Sequence, residues 1–353
     1  MARRSRSFGL FTFTLTFAVG AWLGARPEVA LAFPLVSTSS DAPGALRAEA
    51  GLQLFARMAA EKSPDSDWTQ RYSLQRARLE LSAEVGDFVQ VVLEPDFAGV
   101  DADLADAYLR VRPIKALDFT VGQHKTPFGV FESISRWRLP SLTRGMISEI
   151  VFNRLAFGDR KLGAMARLRL KSLPLKPSLE AGAYGDFSTA TGADGAARLT
   201  ARLLKGAEVA LSVYHLAGGL VGGGHSNAGA LAFEWDRGGW FLAIELILGR
   251  ARLLSARGLP SERDATFLTG RGIFSIDLEP IDAWVIEPFV GVGWMDPNVR
   301  TRDDQGLELL GGANLRFSGL LRLGLQASWQ AGQQAFVASD LVRLMVFVGA
   351  SVE

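Results

Sequence analysis

Sixteen segments of about ten residues, each alternating polar and apolar side chains, recur along this 353-residue chain. They lie at 47–59, 72–85, 88–97, 103–112, 116–125, 159–170, 177–187, 196–205, 207–217, 226–236, 239–250, 265–277, 284–295, 307–317, 320–331 and 341–352. A period of two is the pattern of a β-strand with unlike faces. About ten residues is also the length that crosses a membrane as a tilted strand. Leu321 to Gln330 is the cleanest case: Leu321, Leu323, Leu325, Ala327 and Trp329 share one face, and Arg322, Gly324, Gln326, Ser328 and Gln330 the other. The connections alternate too. Short ones such as Gly86-Asp87, Lys205-Gly206, Arg237-Gly238 and Ser318-Gly319 separate long polar ones such as 60–71, 126–158, 251–264 and 296–306. An even strand number with short turns on one side and long loops on the other is the arrangement of a transmembrane antiparallel β-barrel. A soluble sandwich has no reason to sort its loops in this way. The pattern therefore predicts an all-β, sixteen-stranded barrel with a water-filled interior, closed so that every backbone group is paired in hydrocarbon.

Composition narrows what such a barrel does. A net charge of +1 lacks the basic excess of a nucleic-acid binder. With no cysteine and three histidines, thiol chemistry is excluded and neither a metal site nor a cofactor is expected. The N-terminus reads as a targeting signal: Arg3, Arg4 and Arg6 precede the apolar Phe8–Ala25, and Ala30-Leu31-Ala32 fits a cleavage site. Residues 1–32 are thus expected to be a cleaved signal peptide, the alternative being an uncleaved anchor helix. Residues 33–353 are expected to form one barrel domain in a bacterial outer membrane. The short turns then fall on the periplasmic side.

Strand parity divides the side chains between lipid and lumen. On the polar face it places Arg76, Arg78, Glu80 and Glu84 on one strand, and Asp106, Tyr108, Arg110 and Arg112 on another. Lys161, Arg167 and Arg169 follow on a third, then Arg198, Arg202 and Arg322. These are the expected pore-lining residues. Basic and acidic residues occur on this face about equally. Two strands are ambiguous, because their polar face carries Ala228, Ala230, Ala232, Ala243 and Ile247; a crowded lumen wall and a contact with a loop or second subunit both fit. Aromatics at apolar-face strand ends read as two interfacial girdles: Trp235, Trp240, Trp284 and Phe317 at one end, Phe97, Phe187, Trp294 and Trp329 at the other. The longest connection, about 126–158, begins after Lys125 and holds Glu132, Arg136, Arg138, Arg144 and Arg154. Folded inward, it would narrow the pore, and its basic residues would favour anions.

Leu104-Ala105-Asp106-Ala107-Tyr108-Leu109, the run Val121-Gly122-Gln123-His124-Lys125-Thr126-Pro127-Phe128-Gly129 with Glu132 following, and Arg160-Lys161-Leu162-Gly163 resemble the phosphate-selective porin O and P family. The motif-bearing part spans about 72–170. The resemblance implies a sixteen-stranded homotrimeric porin embedded in outer-membrane lipid, a third loop folded into the lumen, and small hydrophilic solutes, above all anions such as phosphate, as cargo. It puts Lys125 at the strand-to-loop junction and Arg76 and Arg78 at wall positions of the channel. The chain ends Ala350-Ser351-Val352-Glu353, and its nearest aromatic, Phe347, has polar-face parity.

Other readings are a general non-selective porin, a plugged structural barrel, and an outer-membrane phospholipase-like enzyme. A phospholipase needs a serine and a histidine paired on one surface. His225 adjoins Ser226 in a glycine-rich loop, His124 and His215 sit near strand ends, and no G-x-S-x-G elbow occurs. No enzymatic activity is expected.

Overall fold

A computed structural model describes residues 33–37, 46–63, 66–99, 101–185, 192–217, 226–254, 260–281, 283–332 and 340–352. The expected signal peptide, Phe187 and His225 lie outside the described residues. The first strands are β1 (Phe33–Ser37), β2 (Leu46–Lys62), β3 (Thr69–Val85), β4 (Val89–Asp96), β5 (Asp103–Ile114) and β6 (Leu117–Lys125). After a long loop come β7 (Arg160–Arg169), β8 (Ser178–Tyr184), β9 (Asp194–Leu204), β10 (Ala207–Leu216), β11 (Ser226–Arg237) and β12 (Trp240–Leu254). The last are β13 (Pro260–Ile276), β14 (Leu278–Ile281), β15 (Trp284–Asp296), β16 (Gly306–Phe317), β17 (Leu321–Gly332) and β18 (Leu341–Val352).

Each long strand pairs antiparallel with its sequence neighbours, and β18 returns to pair with β2 from Val342–Lys62 to Val352–Leu52. That pairing closes the sheet, and the sixteen long strands match the sixteen expected from alternation. Two short strands were not foreseen. β1 pairs with the start of β2, and β14 continues the line of β13 along β15. Both are too short for an alternation signal.

The faces sort as parity predicts. Leu211, Val213, Leu231, Leu246, Leu248, Leu323 and Leu325 are exposed outward, as a lipid-facing band requires. Trp240 packs on Phe274 and Trp284 on Phe317 at the short-turn end, while Trp329 stands exposed near the long-loop end. The turns follow local chemistry. Ser318 and Gly319 both have positive φ, the geometry of the mirror-image turn that suits twisted antiparallel strands. Phe347 faces inward and is 3% exposed, packed on Phe55 at 5.1 Å between ring centroids. The polar-face parity of this last aromatic is therefore its true orientation.

Candidate functional site

The connection from β6 to β7 enters the barrel. It holds two short helices, α1 (Val130–Ser133) and α2 (Gly145–Ile147), and a π-helical turn at Ser148–Arg154. Its apolar residues form the molecule's buried clusters with the inner wall. Phe128, Ile147, Ile150, Val151, Phe152 and Phe157 pack against Tyr214, Ala228, Ala230, Ile247 and Phe267. Val130, Phe131, Ile134 and Leu139 pack against Ala210, Ala232, Phe241, Ala243 and Phe289. The alanine-rich inner faces of β11 and β12 are thus the seat of the loop. Small side chains let it approach, and each large apolar side chain buried there contributes about 1.5–3 kcal/mol.

Polar clamps fix the loop's position. The Glu245 carboxylate, 0% exposed, accepts the Val130 N–H at 2.5 Å and an Nε–H of Arg271 at 2.8 Å. Arg271 lies 4.2 Å over the Phe131 ring and donates to Ser148 Oγ at 2.6 Å. Glu308 accepts the Met146 N–H at 2.7 Å, and Gln326 that of Leu142 at 2.8 Å. Both carboxylates sit where a short helix presents N–H groups without intrahelical partners. Gly145, at φ +79°, makes the second contact possible, because a Cβ there would collide with the Glu308 carboxylate. From β17, Arg322 donates to the carbonyls of Pro140, Trp137 (3.2 Å) and Arg136 (3.3 Å), and from β16 Asn314 donates to that of Pro140 at 2.8 Å. Arg322 is 1% exposed and braces the loop from beneath.

The wall from β3 to β9 is lined by ion pairs instead. Arg78 is held by Glu94 and, at 2.6 Å, by Asp96. Arg160 forms a bidentate pair with Asp106 at 2.9 and 3.0 Å. Lys161 meets Asp194 at 2.6 Å and Arg167 meets Glu180 at 2.5 Å. Arg169 and Arg112 share the buried Asp118, at 2.6 and 3.4 Å. Arg110 donates to Gln90 at 2.8 Å and stacks on Tyr108, Arg198 donates to Ser133 Oγ at 2.5 Å, and Glu80 pairs with Gly51 in the ladder. Arg202 borders a cavity at the short-turn end together with Arg138.

Within the loop, Arg144 donates to the carbonyls of Phe131 and Ile134 and lies 3.3 Å from Glu132. Arg138 pairs with Glu234 and Asp236, both at 2.8 Å. Burial opposes its charge, but those two carboxylates outweigh burial and hold its pKa above the ordinary arginine value. Arg154 lies 3.6 Å from Glu149 and borders the outer cavity.

A different set of cations remains. Among the described residues, no carboxylate lies within ion-pair distance of Arg57, Arg76, Lys125 or Arg136, and the Nε atoms of Arg57, Arg76 and Arg136 are buried without a hydrogen-bond partner. Arg76 donates to Gln53 at 3.0 Å and lies 5.7 Å above the Phe55 ring. Burial, then repulsion from Arg144 and Arg57, pushes the Arg136 pKa down to about 10, which still leaves it charged at neutral pH. Arg57, Arg71 and Arg136 border a cavity of about 530 Å³ at the long-loop end, whose carboxylates Glu61, Glu132 and Glu149 are taken up by Arg343, Arg144 and Arg154. The near-equal count of acids and bases on the inner face therefore misstates the open lumen. Glu245, Glu287, Glu308 and Asp118 are buried, three of them by contact with the loop or its clamps.

Arg57 and Arg160 are absent from the set that parity predicts. Arg57 does share the inner face of β2, but beside apolar Phe55 and Ala59, which blurs the alternation. Arg160 opens β7 next to the outward-facing Leu162, and its position at the strand end lets it turn back to Asp106. Of the histidines, His124 is buried between Tyr108 and Tyr184 with Nδ1 against the Gly122 carbonyl, and His215 bonds Asn227.

Comparison with known proteins agrees with this architecture. Residues 47–199 match the family model of phosphate-selective porin O and P. This extends the motif-bearing region at both ends, through β2 and into β9. No curated protein sequence shows significant similarity to the chain. Among solved structures, a Salmonella typhi OmpF complex with daunomycin superposes with a TM-score of 0.68 at 9% identity, covering 90% of this chain and 100% of that one. The anion-selective porin from Comamonas acidovorans gives 0.63 at 11% identity, over 87% and 99% of the two chains. The trimer form of OmpT from Vibrio cholerae gives 0.58 at 12% identity, over 87% and 99%. At such identities the likeness is one of fold, and the family match is that of residues 47–199. The chain is a porin-type β-barrel whose residues 47–199 carry the match to phosphate-selective porin O and P.

Proposed function

We propose that the chain is a passive diffusion channel for small hydrophilic solutes that favours anions, phosphate among them, and has no enzymatic activity. The observation that carries this reading is the group Arg57, Arg76 and Arg136, half-buried guanidiniums without carboxylate partners among the described residues; Arg57 and Arg136 border the cavity at the long-loop end, and Arg76 lies near enough to feel the charge of Arg136. Guanidinium groups match the geometry of oxyanions, and a basic constriction favours anions over cations. The ion-paired wall opposite supplies polar lining of nearly balanced charge. Lys125, Glu132, Arg144 and the loop helices set the width of the opening, and Arg76, Arg110 and Tyr108 line it. The anion-selective Comamonas porin of the same fold and the Vibrio trimer support, respectively, an anion preference and assembly as a homotrimer. Export by residues 1–32 as a cleaved signal peptide completes the proposal.

Reconstituted into planar bilayers, the purified protein is expected to give stepwise conductance increases of a permanently open pore. Absence of conductance from correctly folded protein contradicts the channel reading and favours a plugged structural barrel.

A further inference from the structure

The loop carries two consecutive residues that border cavities at opposite ends of the barrel. Arg136 borders the cavity at the long-loop end. Trp137 borders a cavity of about 470 Å³ at the short-turn end, with Trp284, Arg316, Asp277 and Glu279. A solute crossing the loop therefore meets a guanidinium and then an indole. The indole is rigidly held. The Trp137 backbone carbonyl accepts from Arg322 at 3.2 Å, and the indole lies edge-on to Phe55, 5.6 Å between centroids at 68°. Phe55 in turn packs on Phe347 and beneath Arg76. Trp137 nonetheless stays half-exposed to the lumen.

A compact inorganic anion has no use for a half-exposed indole. A flat apolar body would cover it, removing apolar surface from water and stacking against the ring. We infer that Trp137, next to Arg136, makes this channel favour anions with a flat apolar body, aromatic carboxylates as a class, over small compact carboxylates. The inference rests on the anion reading proposed above. Glu279 beyond the indole repels a carboxylate, while Asp277 is taken up by Arg316, so binding stays weak enough for release, as conduction requires.

The test is block of chloride current by benzoate and by acetate in planar bilayers, with the reversal potential measured on the same channels. Benzoate is expected to half-block at a concentration about fivefold below that of acetate. Trp137→Ala should bring the two within about twofold while leaving the reversal potential anion-directed, and Trp137→Phe should keep most of the difference. Equal block by the two anions in anion-directed wild-type channels overturns the inference, as does a difference that survives Trp137→Ala. A reversal potential that is not anion-directed overturns the anion reading itself, and the inference with it.

Discussion

Replacing Glu245 by alanine is expected to raise single-channel conductance and make the open current noisy. The carboxylate is fully buried, closes the first turn of α1 through the Val130 N–H, and neutralises Arg271. Removing one partner of a buried ion pair costs about 3–5 kcal/mol, softened here because Glu132 still lies 3.9 Å from Arg271. Arg271 keeps Ser148 and the faces of Phe131 and Phe152, but the loop loses its anchor at the β12 wall. The barrel itself, held by its backbone ladders, should still assemble and show the same heat-resistant mobility. Limited proteolysis within 126–159 should accelerate by roughly 100-fold or more, the factor that corresponds to about 3 kcal/mol of local docking. Unchanged conductance together with unchanged protease resistance would show that Glu245 does not hold the loop.

Neutralising Arg57, Arg76 and Arg136 together, each to glutamine, should abolish the anion preference. An ion passing about 8 Å from a unit charge in a water-filled pore feels roughly 0.5 kcal/mol from it. Three such charges favour an anion and disfavour a cation by about 1.5 kcal/mol each, an unscreened anion-to-cation preference of roughly 100-fold that salt screening cuts toward tenfold. The effect should shrink as salt rises, because the Debye length falls to about 3 Å at 1 M. Arg138→Gln makes an informative contrast on the same loop. Arg138 faces Glu234 and Asp236, and its side chain is 51% exposed in a wide mouth. Its loss should move the reversal potential far less than the loss of Arg136 alone. Equal shifts from the two substitutions would place the selectivity outside the cluster.

The barrel was legible in the sequence because period-two alternation and the sorting of turns are local signals, repeated sixteen times. Leu321–Gln330 could be placed against lipid and lumen from its own residues. The route of the loop was not legible in that way, because it depends on contacts between residues more than a hundred positions apart. Its length and charge suggested an inward fold, but Glu245 and Glu308 read only as lumen charges, not as caps for helices on another segment. The signal that could have exposed the seat of the loop lay in the ambiguous strands. Ala228, Ala230, Ala232 and Ala243 sit on a face that water would line with polar groups, so something apolar had to cover them. Phe55 and Phe347 posed the same question on β2 and β18. Arg78 reads in sequence as the twin of Arg76, yet Glu94 and Asp96 on the neighbouring strand neutralise only Arg78. Parity assigns a face, but pairing across strands decides which charge on that face remains free.

The most direct measurement is the reversal potential of the purified wild-type protein in a planar bilayer under a potassium chloride gradient at neutral pH. An uncompensated Arg57–Arg76–Arg136 cluster at the constriction predicts a potential directed toward chloride equilibrium, strongest at low salt. A potential directed toward potassium equilibrium would contradict it.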